Sequence, residues 1–270
     1  MMLAIDTHAH VFARGLPLAS VRRYVPDYDV TVADYVQHLD QHGMSHGVLV
    51  QPSFLGSDNS YMVAALRAHP QRLRGIAMVD ADISSEQLQQ LGEAGVVGIR
   101  FNLVGGAELP DFAGAAWQRV LAQVAQRRWQ VEIHREARDL SLIVPVLLDA
   151  GVNLVIDHFG RPDPALGIDD PGFRYLLEVA ASQRVWVKLS AAYRTGGIAA
   201  GMQMATAALP LLKQSYGLTR LLWGSDWPHT QHEQITGYGP ECERFGSLLP
   251  DPAERAQLLG STAAALFQLD

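Results

Sequence analysis

The segment Asp6-Thr7-His8-Ala9-His10 carries two imidazoles separated by one residue. On an extended strand alternate side chains share a face, so both rings can project toward one point, which is chelate geometry. In isolation an H-x-H is most often a pair of polar histidines in a turn. Here other apolar segments close the same way: QVEIH ends in His134, NLVIDH in His158 and LLWGSD in Asp226. Imidazoles and a carboxylate gathered at strand ends can supply a Zn²⁺ site with one position left open for water, whose pKa the ion lowers to about 7. The remaining histidines, His38, His42, His46, His69, His229 and His232, fall on helix, strand-start or loop segments and read as surface or packing residues, His229 least clearly.

Three arginines also fall near strand ends: Arg100 in GVVGIRFN, Arg161 in HFGRPD and Arg194 in AAYRTGG. Guanidinium groups bind carboxylates and sulfonates through paired hydrogen bonds, so arginines converging on one rim imply a small anionic ligand. The plain alternative for each is a surface ion pair. Lys188 points inward with Ser190 on VWVKLS, and pairing with Glu132 or Asp226 accounts for it better than a Schiff base. Glu132, two residues before His134, reads as a partner that orients a ligand. Trp223 and Trp227 read as packing.

The elements that must position these residues repeat along the chain. Strand segments occur at 3–8, 46–52, 74–80, 95–102, 130–134, 153–158, 185–190 and 221–226, with amphipathic helical stretches such as VADYVQHLDQHG and SSEQLQQLGEAG between them. Eight βα units in 270 residues predict an α/β fold, a (β/α)₈ TIM barrel forming a single domain over 1–270. No G-x-G-x-x-G follows the first strand, which argues against a dinucleotide-binding open sheet. The longer irregular pieces, 11–30, 159–171 and 227–250, would sit on the C-terminal face, where barrel active sites are built.

A net charge of −7 argues against nucleic acid as a partner. One cysteine, Cys242, precludes an intrachain disulfide, and no apolar run has the length of a membrane span. The expectation is a cytoplasmic protein without a membrane partner, its oligomeric state left open.

The strand-one H-x-H, the later histidines and WGSDWPH resemble the amidohydrolase superfamily of (β/α)₈ hydrolases. VQPSFLGSDN, EIHREARDL, VIDHFGRPD and LLWGSDWPH are similar to its branch of lactone hydrolases acting on 2-pyrone-4,6-dicarboxylate and 4-sulfomuconolactone. The resemblance implies His8, His10, His134, His158 and Asp226 as metal ligands, with Asp226 also the residue that takes a proton from water and His158 assisting catalysis. It places Arg100, Arg161, Tyr24 and Ser53 at the substrate, where Arg194 joins them by its position near a strand end. Where some members bridge two metals with a carbamylated lysine or a glutamate, this chain has Arg100, and its two lysines lie elsewhere. One divalent metal, Zn or Mn, is therefore expected, and a metal-free mechanism on the same residues stays open. The competing readings are a zinc-dependent decarboxylase of aromatic acids and a barrel that binds an anionic metabolite without turnover.

Overall fold

The computed structural model describes residues 3–269. Its strands are β1 (Ile5–Ala9), β2 (His46–Val50), β3 (Leu73–Ala77), β4 (Val96–Asn102), β5 (Gln130–His134), β6 (Asn153–Ile156), β7 (Val185–Lys188) and β8 (Leu221–Leu222). They pair in parallel and in chain order. Closure comes from the segment after β8: Thr7 N donates to Trp223 O at 3.1 Å, Asp226 N to His8 O at 2.8 Å and His10 N to Trp227 O at 2.8 Å. The sheet thus forms the expected (β/α)₈ barrel.

Helices α1 (Val32–Gln41), α2 (Ser60–Ala68), α3 (Ser85–Glu93), α4 (Ala115–Gln126), α5 (Leu140–Asp149), α6 (Pro171–Glu178), α7 (Gly197–Tyr216) and α8 (Tyr238–Leu248) surround it. Local chemistry sets their starts. Thr31 with Asp34 and Ser84 with Gln87 form reciprocal capping boxes at α1 and α3, which satisfy amide N–H groups that the first helical turn leaves free. Asp170 caps α6 with Pro171 next to it, a position where the missing N–H of proline is harmless. Among the described residues no helix is long and apolar enough to cross a membrane.

The barrel has two apolar layers. Leu49, Ile99, Val131, Ile133, Leu154 and Val187 face outward against the helices. Ile5, Val48, Val50, Ile76, Val155 and Leu222 belong to a second cluster with Leu266 and Phe267 of the C-terminal segment. Above that inner layer the strands turn polar toward their C-terminal ends.

Two sequence expectations change. Two of the site-bearing strands end earlier than the apolar runs suggest: β6 stops at Ile156 and β8 at Leu222, because His158 and Asp226 adopt left-handed φ values of 53° and 60°, which no extended strand accommodates. The stretch 227–250 is also not wholly irregular. It contains α8, with Tyr238, Glu241 and Phe245 buried along one side; Pro240 is tolerated because it lies in the first turn.

Candidate active site

The two strand-one histidines reach the interior through a bulge. Ile5 and Asp6 pair with His46 and Gly47, but Ala9 pairs with Leu49, so β1 carries one extra residue between them. Strict alternation from the inward-facing Ile5 would send Thr7 and Ala9 inward. The inserted residue flips that parity, leaving Ala9 in the outer layer and turning His8 and His10 into the barrel, the re-aiming that bulges near active sites produce.

Asp226 is the centre of the arrangement. Its Oδ1 lies 3.7 Å from His8 Nε2, 3.7 Å from His10 Nε2 and 3.8 Å from His158 Nε2. Its Oδ2 is held from the other side by the Arg194 Nε at 2.7 Å and by the Tyr193 hydroxyl, which donates to it. Burial alone would raise the Asp226 pKa, but Arg194 and His158 beside it hold the carboxyl well below the usual range. Asp6 fixes the backbone here. Its Oδ1 accepts from Ser225 N at 2.8 Å and its Oδ2 from Ser225 Oγ at 2.7 Å. The left-handed conformations of His158, Phe159, Arg161, Ala191, Asp226 and His229 all follow strand ends, and strain of this kind persists only where surrounding contacts over-determine it.

Hydrogen-bond partners assign two ring protons. His10 Nδ1 lies 2.7 Å from the Val50 carbonyl; a carbonyl only accepts, so Nδ1 carries the proton and Nε2 offers a lone pair. His134 is the reverse case. Its Nδ1 lies 3.0 Å from Arg100 Nη2, which only donates, and burial pushes its pKa well below the ordinary value. The neutral ring therefore holds its proton on Nε2 and presents an N–H toward the cleft. Burial likewise pushes His158 down to about 3, with its Nδ1 2.8 Å from Ser190 Oγ.

Donor atoms close enough to share one cation fall into two groups. His8, His10 and Asp226 offer donor atoms mutually within 4.8 Å, and a second such group joins His8, Asp157 and His158; His134 is in neither. Two atoms each about 2.1 Å from one ion lie at most about 4.2 Å apart, and the 3.7 Å separations satisfy that limit. His8 Nε2, His134 Nε2 and His158 Nε2 are buried without a hydrogen-bond partner. Imidazole nitrogen with carboxylate oxygen suits Zn²⁺ or Mn²⁺.

A narrow cleft of about 20 Å³ opens above Asp226, lined among others by His10, Tyr24, Ser53, Arg100, His134, His158 and Arg194. Most of the residues expected at a substrate meet here, but the arginines are already engaged. Arg100 Nε and Nη2 grip Asp157 Oδ2 at 3.1 and 3.0 Å, and Arg194 is committed through Nε to Asp226. Tyr24 Oη pairs with Thr230 Oγ1 at 2.9 Å. Arg161 instead lines an adjoining cavity of about 420 Å³ that also touches Arg194. Arg23, at 3.2 Å from Asn102 Oδ1, joins the cleft wall.

Three buried groups escaped the sequence reading. Asp157 lies beneath the histidines, 3.5 Å from His8 Nδ1; alternation from the inward Val155 would have found it. Tyr193 and Asp6 act only through distant contacts, for which no short motif exists. Lys188 pairs with Glu132 at 2.7 Å, as expected, and not with Asp226.

Comparison with known proteins adds an independent line. The amidohydrolase family model matches residues 5–269. The chain is 36% identical over 266 residues to 2-pyrone-4,6-dicarboxylate hydrolase of Comamonas testosteroni, covering 94% of this chain and 85% of that protein. It is 28% identical over 269 residues to 4-sulfomuconolactone hydrolase of Hydrogenophaga intermedia, covering 97% and 88%. A crystal structure described as a probable 2-pyrone-4,6-dicarboxylic acid hydrolase of Acinetobacter baumannii, with citric acid bound, superposes with a TM-score of 0.95 at 40% identity, covering 99% of this chain and 100% of that one.

Proposed function

The chain belongs to the amidohydrolase family, and from that premise we propose that it is a lactone hydrolase opening a small carboxylated lactone of the 2-pyrone-4,6-dicarboxylate or muconolactone kind. The observation that carries the reading is Asp226 Oδ1, free of other protein bonds and surrounded by three imidazole nitrogens at 3.7–3.8 Å, at the floor of an arginine-lined cleft. The relatives named as hydrolases of carboxylated or sulfonated lactones, and the citric acid held by a solved relative, support the anionic class of substrate.

In this reading Oδ1 takes a proton from the attacking water while Oδ2 stays anchored on Arg194 and Tyr193, so the base does not rotate as it titrates. Water oxygen bonds to the ring carbonyl carbon. Collapse of the tetrahedral adduct breaks the bond to the ring oxygen, which receives the proton back from Asp226. His158, a neutral imidazole facing the same oxygen, orients the reacting groups. The His134 Nε2–H is placed to donate to a substrate oxygen, and Arg100, Arg161 and Arg194, with Tyr24 and Ser53, orient the substrate carboxylates. One divalent cation, Zn²⁺ or Mn²⁺ on His8, His10 and Asp226, would polarise the carbonyl and lower the pKa of water.

Ring opening followed by ultraviolet loss and pH-stat across a panel of carboxylated lactones tests the activity. Asp226→Asn should lower kcat by about 10²–10⁴-fold, the range of general base catalysis. Release of CO₂ from aromatic acids without ring opening, or full activity in Asp226→Asn, would overturn the assignment.

A further inference from the structure

Below the cleft, Lys188 makes contacts that decide which nitrogen of His8 carries a proton. Its Nζ lies 2.7 Å from Glu132 Oε2, 3.0 Å from His8 Nδ1 and 3.4 Å from Asp157 Oδ1, and all four side chains are buried. An ammonium group has three N–H donors and no lone pair. Of the three contacts only the one to His8 Nδ1 has hydrogen-bond geometry, Glu132 Oε2 and Asp157 Oδ1 being ion-pair contacts without a hydrogen bond, and toward an ammonium His8 can contribute only the Nδ1 lone pair. A neutral imidazole has one N–H, which leaves the His8 proton on Nε2, the atom that faces Asp226 Oδ1 at 3.7 Å.

The contrast with His10 is the informative part. There the Val50 carbonyl fixes the proton on Nδ1 and leaves Nε2 free to bind a cation. We propose that Lys188 is a positioning residue that fixes His8 as the Nε2–H tautomer and thereby opposes a divalent cation at the His8, His10 and Asp226 set. For His8 Nε2 to become a ligand, its proton must leave and one must be held at Nδ1. Asp157 Oδ1, 3.5 Å from Nδ1, is the acceptor that would then receive it, while the ammonium withdraws onto Glu132. Charge works in the same direction. Lys188, Arg100 and Arg194 already pair with Glu132, Asp157 and Asp226, so a divalent ion enters a site whose fixed charges are balanced. The affinity half of this proposal rests on the cation reading given above; the tautomer half does not.

The tautomer is read on the wild-type protein, free of metal and labelled with ¹⁵N-histidine, by long-range ¹H–¹⁵N NMR, with His8→Gln identifying the resonances. The Nε2-protonated pattern is expected; an Nδ1-protonated His8 overturns the proposal. Affinity is read by zinc titration against a competing chelator in wild type and in the double variant Lys188→Met/Glu132→Gln. Changing both members avoids leaving a buried carboxylate unpaired. The double variant should bind zinc at least about tenfold more tightly, equivalent to about 1.4 kcal/mol, with His8 moving toward the Nδ1–H pattern. Equal or weaker affinity in a folded variant overturns the affinity half. Zinc bound by neither protein, with lactone opening intact, overturns the cation reading as well, and the wild-type spectrum still decides the tautomer. Should the double variant not fold, that spectrum still tests the proposal.

Discussion

The two oxygens of Asp226 have different neighbours, and in the proposed hydrolysis that gives them different work. Oδ1 faces imidazoles at 3.7–3.8 Å, whereas Oδ2 is tied to Arg194 and Tyr193. A hydrogen bond to a charged group contributes about 1.5–3 kcal/mol, or about 10- to 100-fold in rate if it is needed to aim the base. Tyr193→Phe should therefore lower kcat by about 10-fold with KM nearly unchanged, since the hydroxyl acts through Asp226. Arg194→Met should lower kcat and raise KM together, because Arg194 both anchors Asp226 and lines the cleft. Steady-state kinetics of both variants on one lactone check this. A Tyr193→Phe effect confined to KM would instead make the hydroxyl a substrate contact.

Among the elements, the junction of β1 with the segment after β8 sets the tolerances. A Cβ added at Gly224 would lie 2.5 Å from His8 Cβ and 2.6 Å from His8 N, closer than packed atoms approach, and the partner is largely backbone. Gly224→Ala should push β1 away from Asp226, lowering Tm by several degrees and reducing kcat by more than about 10-fold. Thr31→Ala, which removes a helix cap on α1, should cost about 1 kcal/mol and leave kcat untouched. Thermal melts and kinetics on the two variants separate damage to this junction from general destabilisation. The same junction shows what sequence could convey. Apolar segments closing on His8, His134, His158 and Asp226 reveal the barrel and its polar rim, because period and punctuation are local properties. The β1 bulge and the left-handed turn at Asp226 arise from bonds between residues 6–10 and 223–227, and nothing local encodes them. For the same reason His134 was legible as an inward imidazole but not as an N–H donor; that depends on Arg100 across the β4–β5 pair.

At the scale of the molecule, a net charge of −7 is in tension with an anionic substrate. For the proposed substrate the long-range field is repulsive, and attraction would begin only inside the cleft. Surface fields are screened over about 10 Å at 0.1 M salt, whereas buried pairs are screened much less. The side chain of Arg100 is 2% exposed and that of Arg194 11%, so salt should weaken the repulsion while barely touching the binding groups. For a dicarboxylate lactone, kcat/KM should stay level or rise, by up to about threefold, between 0.05 and 0.5 M NaCl. A protein that steers anions with a positive surface shows a steep fall instead. Kinetics over that salt range, with a neutral lactone as control for general salt effects, discriminate the two. A steep fall confined to the dicarboxylate would mean that exposed cations such as Arg23, and not the buried pair, dominate its capture.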